Sequence, residues 1–178
     1  MGFLTFYRKR KKKDRELRIL LLGLDNAGKS STLCRIFEES PENIAPTFGF
    51  LIRSWVSENH LIHFWDIGGQ CSLRPFWQNY FEKTDGIIWV VDGSDIDRFE
   101  EHVREFRNIL QDVRIQGVSV LVLVNKRDLY TDAEEKIHRD AISKISSEIK
   151  VLASSAFRGS GITAGLSWLI SDIEKRTV

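Results

Sequence analysis

The residues with the clearest chemical potential form a glycine-rich segment near the start of the chain. Residues 23–30 read GLDNAGKS, which fits the phosphate-binding pattern G-x-x-x-x-G-K-[ST]. In this pattern the glycines let the backbone wrap a phosphate, so that N–H groups and the following helix N-terminus bind it. Lys29 adds a cation for the β- and γ-phosphates, and Ser30 adds a hydroxyl for Mg²⁺. The residues expected to bind the nucleotide here are Gly23, Asp25, Asn26, Ala27, Gly28, Lys29, Ser30 and Ser31.

A second motif selects the nucleotide, because kinases, ATPases and GTPases all share the first one. Residues 125–128 read NKRD and follow a strongly apolar run, so they lie at the carboxyl end of a strand, where α/β proteins bind ligands. The Asp128 carboxylate accepts hydrogen bonds from N1–H and the exocyclic amine of guanine, a donor pair that adenine lacks. The Lys126 stem covers the base plane, and Asn125 ties this loop to the phosphate loop. The two motifs together predict GTP and GDP as ligands.

Ser155 and Ala156 follow the apolar pair Val151-Leu152, and two interpretations are open for them. In the first, their backbone N–H groups reach guanine O6 and complete the base site. In the second, Ser155 caps the N-terminus of the following helix.

A third set of residues has the chemistry of a hydrolytic switch. Residues 65–70 read WDIGGQ, in which Asp66 holds Mg²⁺ or its water, Gly69 offers its amide to the γ-phosphate and Gln70 orients the attacking water. The paired glycines let this loop make and release that contact. Thr47 ligates Mg²⁺ when the γ-phosphate orders its loop, or it is an ordinary turn residue. Gln70 is therefore the expected catalytic residue, and the expected metal ligands are Ser30, Thr47 and, through water, Asp66.

The elements that position these residues alternate along the chain. Continuous apolar runs predict strands buried on both faces, as in parallel sheets, at 19–23, 86–92 and 118–125. Helical patterns cover 29–38, 98–113, 134–147 and 161–176. Segments 50–57 and 61–66 are separated by a polar turn too short for a crossover, so they are expected to form an antiparallel hairpin. The predicted fold class is α/β, with right-handed crossovers.

Composition and charge restrict the function classes. The chain has 178 residues, 42% of them apolar, which predicts one soluble domain with a sizeable core. Residues 1–18 contain eight of the 26 basic and two of the 25 acidic side chains, so they carry +6 and the remainder carries −5. This distribution argues against nucleic acid as a partner. The two cysteines form no CxxC and no signal-like apolar run opens the chain, which favours a cytoplasmic location.

The N-terminal segment is expected to be separate from the catalytic domain, with residues 1–17 forming an amphipathic basic segment and residues 18–178 a single GTPase domain. Its apolar residues at helical spacing precede a cationic run at 8–13, which predicts a weak membrane contact through residues 1–13. Docking of this helix on the protein's own surface is the alternative. N-myristoylation is not expected, because Phe6 stands where the acylation motif needs Ser or Thr.

Taken together, the segments GLDNAGKS, PTFGF, WDIGGQ, NKRD and SSA resemble the Arf and Arf-like small GTPases over essentially the whole chain. Asp25-Asn26 and the WDIGGQ form resemble this group rather than Ras-like proteins. The resemblance implies a P-loop small GTPase fold, a doubly wound, mostly parallel six-stranded sheet with one antiparallel hairpin strand and helices on both faces. It implies GTP/GDP cycling with Mg²⁺, slow hydrolysis without a GAP, an exchange factor, and effectors at the two switches and the hairpin between them.

Within that family, segments 19–22, 72–77, 79–81 and 88–92 resemble one Arf-like subgroup most. The resemblance implies carriers of lipidated cargo and tubulin-folding cofactors as partners, and a location partly at microtubules or membranes. Three residues depart from the family pattern, since Arg127 replaces a glutamine, Ser31 a threonine and Gly93 a serine. Two other functions remain open from the residues, a GTP-binding interaction module with little hydrolysis and a P-loop nucleotide kinase.

Overall fold

A six-stranded sheet forms the centre of the molecule in the computed structural model, which describes residues 15–42, 44–57 and 59–176. The strand order is β2-β3-β1-β4-β5-β6, and every neighbouring pair is parallel except β2 and β3. This confirms the mostly parallel sheet and the antiparallel hairpin. The expectations about residues 1–13 lie outside the described residues. The strands are β1 (Arg15–Leu22), β2 (Phe50–Val56), β3 (His60–Ile67), β4 (Gly86–Asp92), β5 (Ser119–Asn125) and β6 (Lys150–Ala153).

In the described part of the chain, four α-helices cover the two faces of the sheet: α1 (Lys29–Ile36), α2 (Phe99–Leu110), α3 (Asp132–Ser143) and α4 (Ile162–Arg176). Alternate strand residues point to opposite faces, so Leu21 packs with α1 and α4 while Leu20 and Leu22 pack with α2 and α3. All seven residues of β4 and all seven of β5 are buried, as their continuous apolar sequence predicts. The doubly wound fold with helices on both faces is therefore confirmed.

The boundaries of several elements differ from those expected. Strand β1 begins at Arg15, where it pairs with His60 of β3, so residues 15–17 belong to the sheet. Helix α2 ends at Leu110, and a short 3₁₀ helix, Val113–Ile115, follows it. Helix α3 spans Asp132–Ser143 instead of 134–147, because a capping box sets its start.

The fold brings the predicted functional loops to one edge of the sheet. These loops follow β1, β3 and β5, whose carboxyl ends meet there because the strands are parallel. No helix within the described ranges is long and apolar enough to cross a membrane.

Candidate functional site

The loop after β1 wraps a cavity of about 280 Å³. Its backbone requires glycine at two points, since Gly23 and Gly28 have φ values of +143° and +93°. A Cβ on Gly28 would also lie 2.3 Å from Nδ2 of Asn125, so the close approach of the two loops needs a residue without a side chain. The cavity is lined by Asp25, Asn26, Gly28, Lys29, Ser30, Ser31, Ile44, Ala45, Pro46, Thr47, Gly68, Gly69 and Gln70.

Lys29 is the buried cation of this cavity. Its Nζ donates hydrogen bonds to the carbonyl oxygens of Gly23, at 3.0 Å, and Leu24, at 2.8 Å. Burial lowers the pKa of Lys29 to about 8, and the carboxylates of Asp66 and Asp25 oppose the shift. A bound phosphate supplies the negative charge that this desolvated ammonium lacks, so the position suits a polyphosphate ligand.

Three side chains with oxygen atoms that can ligate a metal, those of Ser30, Thr47 and Asp66, converge beside Lys29. The Ser30 hydroxyl donates to Oδ2 of Asp66 at 2.5 Å, the Thr47 hydroxyl donates to the same oxygen at 3.0 Å, and the two hydroxyl oxygens lie 2.9 Å apart. The other carboxylate oxygen, Oδ1, is buried without a hydrogen-bond partner among the described residues. Burial raises the pKa of Asp66. A hard divalent cation that prefers oxygen ligands, such as Mg²⁺, fits this donor set and its unpaired oxygen.

The loop after β3 closes one wall of the cavity. The Gly69 carbonyl accepts hydrogen bonds from the Asp25 amide, at 3.2 Å, and from Nε of Arg74, at 3.0 Å. A Cβ on Gly69 would lie 2.4 Å from the Gly23 carbonyl oxygen, so only glycine fits this approach. Gln70 follows and lines the cavity while remaining partly exposed. A glutamine there is positioned to orient a water toward a bound phosphate.

A second cavity, of about 220 Å³, adjoins the first at Gly28 and Ser31. Asn125 connects its walls, because its Nδ2 donates to the Ala27 carbonyl at 3.0 Å and its Oδ1 accepts from the Ala156 amide at 2.9 Å. The predicted tie between the two loops is present. The other lining residues are Pro41, Lys126, Asp128, Leu129, Ala156 and Phe157, which suit a planar base with a polar edge.

Ser155 does not have the second of the two expected roles, and its side chain makes a contact that neither interpretation predicted. Helix α4 begins at Ile162, so Ser155 does not cap it. Its hydroxyl donates to the Asp128 carboxylate, and its amide donates to the Ser160 carbonyl at 3.0 Å. The serine therefore orients the carboxylate predicted to recognise guanine. The amide contact of Ser155 and Ala156 with a base stays a prediction.

Two arginines at the phosphate cavity were not predicted from the sequence. Arg74 and Arg98 both lie within 3.3 Å of Oδ1 of Asp25. Arg35, on α1, was not predicted either, and it donates to the carbonyl oxygens of Ala156 and Phe157 at the base cavity. These contacts join residues 49 to 122 positions apart, and single helix or loop arginines have no local signal that would identify them.

The unusual Arg127 makes its contacts beside the base cavity. Its guanidinium donates to the Tyr130 carbonyl at 2.7 Å and pairs with Asp132 and Glu135 at the start of α3. Lys126 pairs with Asp92 at the end of β4, 2.6 Å away. The departure from the family pattern at Arg127 is thus accommodated by contacts within its own loop and α3.

Comparison with known proteins agrees with this geometry. The family model of the ADP-ribosylation factor family matches residues 3–173. Proteins called ADP-ribosylation factor-like protein 2 are 44% identical in Drosophila melanogaster and 40% identical in Arabidopsis thaliana, each over 99% of this chain and 97% of the relative. ADP-ribosylation factor-like protein alp41 of Schizosaccharomyces pombe is 42% identical over 98% of this chain and 96% of its own.

Among solved structures, the Arl6 BBS3 small GTPase from Trypanosoma brucei with the bound nucleotide analogue GppNp is similar, with a TM-score of 0.78 and 26% identity. The match covers 90% of this chain and 99% of the other. The resemblance of the chain to one Arf-like subgroup is confirmed, because these relatives are called ADP-ribosylation factor-like protein 2, and no comparison supports the nucleotide-kinase alternative. The chain therefore belongs to the ADP-ribosylation factor family, as an Arf-like small GTPase that binds guanine nucleotides and hydrolyses GTP.

Proposed function

We propose that this chain binds GTP together with Mg²⁺. Ser30 and Thr47 hold the ion directly, and Asp66 holds it through a water. The convergence of the Ser30 and Thr47 hydroxyls on the buried Asp66 carboxylate is the observation that supports this assignment. Mg²⁺ supplies positive charge to the β- and γ-phosphates when it is bound. Thr47 belongs to the loop before β2, so its contact couples the order of that loop to the nucleotide.

The remaining roles follow from the chemistry of the cavity residues. Lys29 neutralises phosphate charge and Gln70 orients the attacking water. Asp128 and Lys126 hold the guanine base, and Asn125 ties their loop to the phosphate loop. Hydrolysis then removes the group that orders the loops, which ends the signalling state.

An exchange experiment on Thr47→Ala tests the Mg²⁺ assignment. With Mg²⁺ present, a fluorescent GTP analogue should dissociate at least about ten-fold faster from this variant than from the unaltered protein, and GDP dissociation should change little. Chelating Mg²⁺ should remove most of the difference. Thr163→Ala is the matched control, because Thr163 is exposed on α4, away from the site. Equal dissociation of the analogue from both variants would overturn the assignment.

We propose further that the GTP form binds effectors at the apolar surface beside the two switch loops, which are segments 44–49 and 68–73. Phe50, Leu51 and Ile52 on β2 are 42–49% exposed, and Phe76 is 56% exposed. Trp77 does not belong to this surface, because it is buried and its Nε1 donates to the Gly68 carbonyl at 3.0 Å. By resemblance, the partners are carriers of lipidated cargo and tubulin-folding cofactors, together with a GAP and an exchange factor.

The proposed location is cytoplasmic, with part of the protein at microtubules or membranes, and residues 1–13 make a weak membrane contact.

Capture of partners from extract by protein loaded with a non-hydrolysable GTP analogue, compared with protein loaded with GDP, tests the partner proposal. Enrichment of those partner classes only with the analogue supports it, and equal capture in both states contradicts it.

A further inference from the structure

The carboxylate of Asp25 lies at the wall of the phosphate cavity, where a negative charge is expected to oppose a polyphosphate ligand. It is held there by two guanidinium groups. Oδ1 of Asp25 is 3.1 Å from Nη1 of Arg98 and 3.3 Å from Nη2 of Arg74. Arg98 also donates to the backbone carbonyl of Asp25 at 3.0 Å, so it fixes the main chain and side chain of the same residue.

Each arginine is anchored by a second set of contacts. Arg98, just before α2, bonds to Asp95 at 2.6 Å through Nε. Arg74 is 8% exposed and pairs with Glu101 of α2 at 2.7 Å. These anchors hold the two guanidinium groups in place, and both lie on elements outside the phosphate loop.

The charges of Asp25, Arg74 and Arg98 all act on the Lys29 ammonium in the cavity. Asp25 raises the pKa of Lys29 while Arg74 and Arg98 lower it, which is the effect expected of charges close enough to interact with that ammonium. Each guanidinium also pairs with a carboxylate of its own, Asp95 for Arg98 and Glu101 for Arg74, and the two share the Asp25 carboxylate, so the acid at the cavity wall is paired. Without the arginines the same wall would carry only the negative charge of Asp25.

We propose that Arg74 and Arg98 act as positioning residues that neutralise and restrain the Asp25 carboxylate, and that this arrangement raises the affinity of the site for GTP relative to GDP. The proposal rests on the proposed function, because it takes the cavity as the site of the nucleotide phosphates. GTP carries one more phosphate charge than GDP near neutral pH, so an unrestrained carboxylate penalises GTP more.

Arg98→Ala is the direct test, because Arg74 has an additional bond to Gly69 that would complicate its removal. We expect the ratio of GTP to GDP affinity to fall on the order of ten-fold in Arg98→Ala, and the loss to shrink at high ionic strength. Arg98→Gln, which keeps a polar side chain, should show the same direction and guards against failure of the alanine variant to fold. Arg104→Ala is the matched control, since Arg104 is exposed on α2 and pairs with Glu105.

The second part of this test repeats the Arg98→Ala measurement in the Asp25→Asn variant, which lacks the carboxylate. If the arginine acts by neutralising the carboxylate, Arg98→Ala should have little further effect on the affinity ratio in the Asp25→Asn background. A merely structural role of Arg98 would lower both affinities in both backgrounds. An unchanged ratio in Arg98→Ala, or the same loss with and without the Asp25 carboxylate, would overturn the proposal. Failure of the unaltered protein to bind GTP in the presence of Mg²⁺ would instead contradict the proposed function.

Discussion

Asp128 is the residue on which guanine specificity should depend. Its carboxylate lines the base cavity and accepts a hydrogen bond from the Ser155 hydroxyl. Asp128→Asn replaces an acceptor with a donor against the base edge, so we expect weaker GTP binding and a shift of preference toward xanthine nucleotides. Competition between GTP and XTP for the purified variant measures the shift. An unchanged ratio of the two affinities would refute the role of Asp128.

Gln70 should affect hydrolysis without affecting binding. It lines the phosphate cavity next to Gly69, and its predicted action on water occurs in the transition state. Gln70→Leu should keep GTP affinity within a few-fold while single-turnover hydrolysis falls by about ten-fold or more. Gln78→Leu is a suitable control, because Gln78 is exposed in the 3₁₀ helix Arg74–Tyr80. If Gln70→Leu and the control hydrolyse GTP at the same rate, another group orients the water.

At this scale the sequence predicts residues within motifs better than the residues that support them. Lys29, Ser30 and Asn125 are identified by short patterns, because the backbone geometry that binds phosphate or base is local. Arg98 lies 73 positions from Asp25, and its contact exists only because the sheet brings the two loops together. No spacing rule within one segment indicates such a pair.

At the scale of elements, α2 and α3 meet through two buried histidines. Nε2 of His102 lies 3.1 Å from Nδ1 of His138, and the ring of Phe99 packs edge-on against both. Burial lowers the pKa of His102 to about 3, and the His138 ring adds to the shift while Asp95 opposes it. Burial also lowers the pKa of His138, and the hydrogen bond to the Gly93 carbonyl and the charges of Asp92 and Glu134 oppose this shift.

This pair should make the fold sensitive to acid. In the unfolded chain histidine titrates near 6.5, so below that pH the unfolded state binds protons that the buried pair does not. The contribution of His102 is then complete above pH 6.5 and falls as the pH drops toward 3, by up to about 1.4 kcal/mol per pH unit, and His138 adds to the loss in the same direction. Urea unfolding at pH 7.5 and 5.5 should show a smaller acid loss for His102→Phe than for the unaltered protein.

The control for that experiment is His63→Gln, because His63 lies on β3 outside this pair and is only partly buried. The explanation would be wrong if His102→Phe lost as much stability between the two pH values as the unaltered protein.

The ends of the fully buried strands β4 and β5 were predicted more accurately than the start of β1 or the ends of the helices, for a physical reason. A strand such as β4 is apolar throughout because both of its faces are covered, and that burial is visible as a continuous run. Helix ends depend on local hydrogen bonds that hydrophobic periodicity does not show. The start of α3 is an instructive case, because Thr131 and Glu134 form a capping box whose T-x-x-E pattern is present in the sequence.

At the scale of the whole molecule, the rigid sheet carries two loops that close on the same cavity. The loop before β2 reaches it through Thr47, and the loop after β3 reaches it through Gly69. Strands β4 and β5 are buried and hold the opposite side of the nucleotide site in place. The nucleotide-dependent change is therefore expected in these loops and in the hairpin between them.

The hydrogen exchange of these loops in the two nucleotide states tests the central claim most directly. With Mg²⁺ and a non-hydrolysable GTP analogue, amides in segments 44–49 and 68–73 should exchange at least about ten-fold more slowly than with Mg²⁺ and GDP. Amides in β4 and β5 should exchange at the same rate in both states. Equal protection of the two loops with GDP and with the analogue would contradict the account of this chain as a GTP-dependent switch.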